Sequence, residues 1–186
     1  MEAPPSHGDH SDHGDHEEPS GAAGATVPLD DDRRRGLGLP PLGTSADGSQ
    51  LPPLGADEWL VAQVVAARFL MVQTNFSVAE EPDAVTARRA LYTSRRLAED
   101  LAMAGAGGTA GAAVDDLRAS GTQFFGEVVG LVIVDKSRVT ATVAASVRRW
   151  SVSTEGSGPA RLSFYVLRLV LDEEAERWAV VDVEVT

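Results

Sequence analysis

Val139-Thr-Ala-Thr-Val-Ala-Ala-Ser-Val147 is the stretch on which the fold turns. Val139, Ala141, Val143, Ala145 and Val147 alternate with Thr140, Thr142, Ala144 and Ser146, the period of two of a half-buried β-strand. Working backward, residues 124–134 are rich in valine and aromatics and contain Gly126 and Gly130, which inside a strand mark a bulge or a sharp bend. Asp135-Lys-Ser137 is a tight connection between these two strands. Working forward, residues 153–160 form a polar, glycine-rich turn, and residues 161–171 a third strand, apolar on both faces for most of its length. Residues 172–176 turn the chain again, and residues 177–185 are the last strand. Connections this short join antiparallel neighbours, so a four-stranded meander is predicted.

Ahead of the strands the period changes. Leu60, Val64, Ala67 and Met71 fall on one helical face and Val61, Val65 and Val72 on the next, with Asp57 as N-cap. This predicts one helix over about 57–74, buried on most sides. Glu81-Pro-Asp83 opens a new element, and Thr93 or Ser94 caps a further helix in which Leu97 and Leu101 face the core. Residues 104–113 read as a loop of small residues, and about 114–120 as another helical piece. The expected fold class is α+β: three N-terminal helices packed on a bent four-stranded antiparallel sheet, preceded by a disordered tail.

That tail is assigned by composition. Residues 1–55 hold eight of the ten prolines, nine of the eighteen glycines and no aromatic residue, and carry ten acids against three arginines. Such a segment buries too little apolar surface to offset the entropy of ordering it. The tail contains His7, His10, His13 and His16 at a spacing of three, the charge block Asp30-Asp-Asp-Arg-Arg-Arg35, and the repeat Leu39-Pro-Pro-Leu-Gly43 and Leu51-Pro-Pro-Leu-Gly55. The charge block reads as solvated linker and the repeats as an extended spacer or, alternatively, a docking motif. Residues 56–186 hold all ten aromatics, enough apolar residues for a real core, and a net charge of −5 from eighteen acids and thirteen bases. An acidic domain of this kind argues against nucleic acid as a partner. The chain has no cysteine, which excludes disulfides, thiolate metal sites and a cysteine nucleophile. Its longest apolar run, residues 59–72, contains Gln63 and Arg68 and is too short for a membrane span. The expected location is cytoplasmic as the sequence stands, or the cell envelope if a signal or anchor precedes this start.

Helices followed by a long bent meander resemble the nuclear transport factor 2-like superfamily, a cystatin-like α+β cone. Tyr92-Thr-Ser-Arg-Arg-Leu97-Ala-Glu-Asp-Leu101 is similar to its tyrosine-led amphipathic helix. Tyr165-Val-Leu-Arg-Leu-Val-Leu171 followed by Arg177-Trp-Ala-Val-Val-Asp-Val-Glu-Val185 resembles its last hairpin. The likeness spans residues 56–186. Within the superfamily, the chain is most similar to the mammalian-cell-entry-associated proteins and the conjugation-pore accessory proteins of high-GC bacteria. The resemblance implies a non-catalytic assembly domain.

The candidates for chemistry are few. The histidine array, interleaved with Asp9, Asp12 and Asp15, has the donor types to hold Zn or Ni weakly; its other reading is a low-complexity polar tail. Residues 56–186 contain no histidine, which removes the commonest general base. A small-molecule pocket, in a carrier or in a carboxylate-dependent isomerase or dehydratase, would draw on Tyr92, Trp150, Tyr165, Arg168, Asp182 and Glu184. Asp182 and Glu184 share one face of the last strand, which makes them a pocket dyad if that face is concave and ordinary surface carboxylates if it is not; the second reading is preferred. Residues 105–111 lack the Gly-Lys-Ser/Thr of a phosphate loop and read as linker. Arg88, Arg89, Arg95, Arg96, Arg148 and Arg149 read as solvated or locally ion-paired. The expected mode of action is binding a protein partner or forming a homodimer through the uncovered sheet face, without catalysis and without a resident cofactor.

Overall fold

Four long strands carry the architecture of the computed structural model, which describes residues 26–44, 51–107 and 112–186. Strands β2 (Gln123–Lys136), β3 (Thr140–Ser153), β5 (Arg161–Asp172) and β6 (Arg177–Val185) form the predicted antiparallel meander. Two short strands correct the expected count of four to six: β1 (Phe76–Ser77) pairs with the start of β2, and β4 (Gly156–Ser157) folds back on the end of β3. The predicted bend is present. The β2–β3 register slips between Val128 and Gly130 and again between Ile133 and Asp135, and such extra residues increase local twist and curl a sheet.

The concave face is filled. Helix α3 (Ala62–Thr74) lies along it, with Val65, Ala66, Phe69 and Leu70 fully buried against Val128, Val143, Val147 and Leu167. The single helix expected over 57–74 is corrected to two. Helix α2 (Ala56–Trp59) ends at Leu60, and Val61 is extended (φ −107°, ψ 103°) before α3 begins. The break frees the Leu60 carbonyl, which accepts the indole N–H of buried Trp178 at 3.0 Å. An indole N–H inside a core needs such a partner. Helices α4 (Pro82–Ala90), α5 (Arg95–Gly107) and α6 (Ala112–Ala119) follow, and α1 (Asp31–Gly36) precedes, so the expected three helices become six segments among the described residues. Ser94 Oγ accepts from the Leu97 N–H, as the capping reading predicts. Part of the small-residue loop expected at 104–113 is helical as far as Gly107; residues 108–111 lie outside the described residues.

The larger correction concerns residues 26–44 and 51–55. Leu29, Leu39 and Leu54 are buried in the same core cluster as α3 and the sheet. Pro28 bridges Gly130 on β2: the Leu29 N–H donates to Val129 O at 3.0 Å and the Leu131 N–H to Val27 O at 3.1 Å. The charge block is therefore no solvated linker. Asp30 caps α1 through the Arg33 N–H, and Arg34 is wholly buried. Its guanidinium donates to Val128 O and to Pro40 O (2.7 Å) and lies 3.8 Å from Glu127, which also binds Arg148. Burial pulls Arg34 below its usual range, with Glu127 opposing. Gly38 (φ +64°) brings the backbone so close to Arg68 that a Cβ there would sit 2.7 Å from Nη2. The Pro-Pro-Leu-Gly repeats are anchors, each giving one leucine to the core, and not a spacer. The four histidines lie outside the described residues.

Candidate functional site

Three surfaces of the sheet could do work: its outer edges, its convex face and its open end. The outer edge of β2 is sealed. Asn75, at the end of α3, mimics a strand: its side-chain amide donates to Gly126 O (2.9 Å) and accepts the Gly126 N–H (3.1 Å). With β1 on one side and the residue 26–44 strap on the other, the edge that a bare β2 would offer to another chain is covered. Gly126 is required here, because a Cβ would fall 2.0 Å from Thr74 Oγ1. On the far side, among the described residues, β6 is bridged where Val180 exchanges hydrogen bonds with Tyr92 O and the Ser94 N–H.

The residues predicted for a pocket do not converge. Tyr92 is buried against Trp59 with ring centroids 5.3 Å apart, at the β6 edge, and burial pushes its hydroxyl pKa up, partly offset by Arg68. Asp182 and Glu184 do share a face, as alternation requires, and it is the convex one. Arg168 lies across from Asp182 on β5 and reaches both carboxylates, at 3.9 and 3.6 Å. All three are about half exposed, the geometry of a surface cluster. The convex face also carries Trp150, stacked on Phe125 at 5.6 Å, and Leu162 and Val170, which are 56% and 38% exposed. Part of it, around Ala144, Ser146 and Glu127, is buried under the residue 26–44 strap, through Thr26 on Ser146 (2.6 Å) and the Gly43 N–H on Glu127 (2.7 Å).

At the open end of the sheet, beyond α3, lies a cavity of about 450 Å³. Arg149 of β3 and Arg161 of β5 face each other there in direct register. Ser151, Ser163, Phe124 and Pro159 line the cavity beside them, and Phe125 and Trp150 border it from the convex side. Burial pushes up the pKa of Tyr165, two residues from Ser163 on the same strand face, with the charge of Arg149 opposing. Among the described residues the lining holds no carboxylate and no imidazole, so these offer no general acid–base pair. Arg148 meets the ion-pair expectation through Glu127, and Arg88 and Arg95 meet it through Glu80 and Glu99. Arg149 does not: it forms no ion pair among the described residues. Arg161 was not anticipated, and nothing in its sequence neighbourhood sets it apart. Among the described residues no cluster of metal-ligating side chains occurs, and no helix is long and apolar enough to cross a membrane.

No family model matches the chain, and no curated protein does. Solved structures do. A periplasmic fragment of TraM superimposes with a TM-score of 0.51 at 10% identity, covering 67% of this chain and 93% of that one. An IcmL-like type IV secretion system protein from Legionella pneumophila gives 0.53 at 10% identity, covering 72% and 93%. An Ntf2-like protein involved in plasmid conjugation gives 0.40 at 12% identity, covering 66% and 46%. At these identities the first two show a shared fold.

Proposed function

We propose that this protein is a non-catalytic assembly module that binds a protein partner, or a second copy of itself, through the convex face of its sheet. The observation that carries the reading is the division of labour between the two faces. The concave face, where a pocket enzyme of this fold would work, is occupied by α3. The convex face presents Leu162, Val170 and the Trp150–Phe125 stack, with Arg168, Asp182 and Glu184 beside them. Apolar groups rimmed by charge are what a protein interface needs: desolvation in the centre and orientation at the rim. The fold shared with the TraM fragment and the IcmL-like secretion protein supports a role in an envelope-spanning assembly. The carboxylate-dependent isomerase or dehydratase alternative finds no carboxylate among the described residues that line the open-end cavity.

Light scattering coupled to size exclusion, on the full chain across a concentration series, tests the homotypic form. The parent is expected to shift toward dimer with concentration. Leu162→Asp, which puts a charge on that face, is expected to hold it monomeric with its circular dichroism unchanged. Indistinguishable masses for parent and variant at every concentration would overturn that form.

A further inference from the structure

We infer that the open-end cavity is a binding site for a small organic phosphomonoester, with Arg149 and Arg161 gripping the phosphate and Phe124 beside an apolar or aromatic carrier. Two like charges placed directly opposite on neighbouring strands repel each other, and this chain has acids to spare, twenty-eight against sixteen bases. Arg34, Arg35, Arg88, Arg95, Arg138, Arg148 and Arg168 lie beside a carboxylate, and of the described arginines without one only Arg149 and Arg161 are paired with each other across neighbouring strands. Arg149 and Arg161 stand in register with no such partner among the described residues. What would relieve the repulsion is an anion from outside.

The stereochemistry narrows that anion. Two guanidinium groups side by side match a dianion, and a phosphomonoester carries about −1.5 to −2 at neutral pH with several acceptor oxygens, whereas a carboxylate brings −1. Ser151 and Ser163, on the same wall, supply hydroxyl donors for the remaining oxygens. A volume of about 450 Å³ is far more than a bare phosphate fills. It falls within the ~300–1,000 Å³ of small-molecule sites. The surplus is bounded by Phe124 and Pro159, so the carrier is apolar or planar.

Calorimetric titration of the full chain with phenyl phosphate, benzoate and inorganic phosphate tests this. Phenyl phosphate is expected to bind with a dissociation constant below about 1 mM, and the other two at least ~10-fold more weakly. Arg161→Gln should weaken phenyl phosphate by ~10-fold or more. The same substitution should leave the urea midpoint equal to or above the parent's, because a like-charge pair has been relieved. Arg138→Gln, in a turn remote from the cavity, should leave binding unchanged. No binding up to about 10 mM phenyl phosphate, equal affinity for benzoate, or full affinity in Arg161→Gln would each overturn the assignment.

Discussion

Asn75 shows how one side chain can finish a sheet. It is 1% exposed, and its amide stands where the peptide of a neighbouring strand would stand, donating to Gly126 O and Met71 O and accepting from the Gly126 N–H. Removing it orphans a buried donor and acceptor at once, and each orphan costs about 1–3 kcal/mol. Asn75→Ala is therefore expected to lower stability by about 2–4 kcal/mol, read as a fall in urea midpoint with an unchanged slope. Asn75→Asp keeps an acceptor for the Gly126 N–H but loses the donor to Gly126 O, so it should not rescue. A loss under about 0.5 kcal/mol for Asn75→Ala would mean that water replaces the amide and the edge is open. The sequence gives little warning of this role. An asparagine after a helix is an ordinary stop signal, and only the distance to Gly126 turns it into a strand surrogate.

At the scale of elements, the strap of residues 26–44 separates what pattern can reveal from what it cannot. β3 announces itself, because a strand with one buried face must alternate. Asp182 and Glu184 share a face for the same reason, and both are about half exposed. The strap buries Leu29 and Leu39 at positions with no period, among prolines and glycines that compositional reasoning takes for disorder. Its stability comes from tertiary contacts: an edge bridge to Gly130, and Arg34 buried against Val128 O, Pro40 O and Glu127. Losing one partner of a buried ionic group costs about 3–5 kcal/mol, because the other is left uncompensated. Arg148, about half exposed, still holds Glu127, so the lower end applies. Arg34→Met is expected to destabilise by about 3 kcal/mol, and adding Glu127→Gln should recover part of that loss. Exchange of the Leu29 and Leu131 amides should accelerate together in the single variant, since the two close the same bridge. Protection left intact at both would show that the strap holds without Arg34.

For the molecule as a whole, register decides where chemistry meets, and register is what the sequence leaves open. Arg149 and Arg161 oppose each other only because the connection between β3 and β5 is not a simple turn. Val152 pairs Ser157 and Ser153 pairs Gly156, a small hairpin offset by one from the pairing of the long strands. A slip of one residue would send Arg161 to the convex face and dissolve the open-end cavity. The boundary of the folding unit is likewise a property of the assembled whole. Compositional reading starts the domain at residue 56, but the core includes Leu29, Leu39 and Leu54, and burying each such side chain contributes about 1.5–3 kcal/mol. Their combined loss, roughly 5–9 kcal/mol, is comparable to the ~5–15 kcal/mol that holds a typical domain. A chain beginning at residue 56 would also bare the β2 edge along residues 128–131 and leave Glu127 without Arg34. Urea unfolding of chains starting at residues 1, 26 and 56 should therefore give matching midpoints for the first two. The third should have a far lower midpoint or aggregate outright, as an exposed edge strand favours. Equal midpoints for the chains starting at 26 and 56 would show that the strap is a passenger on a complete fold.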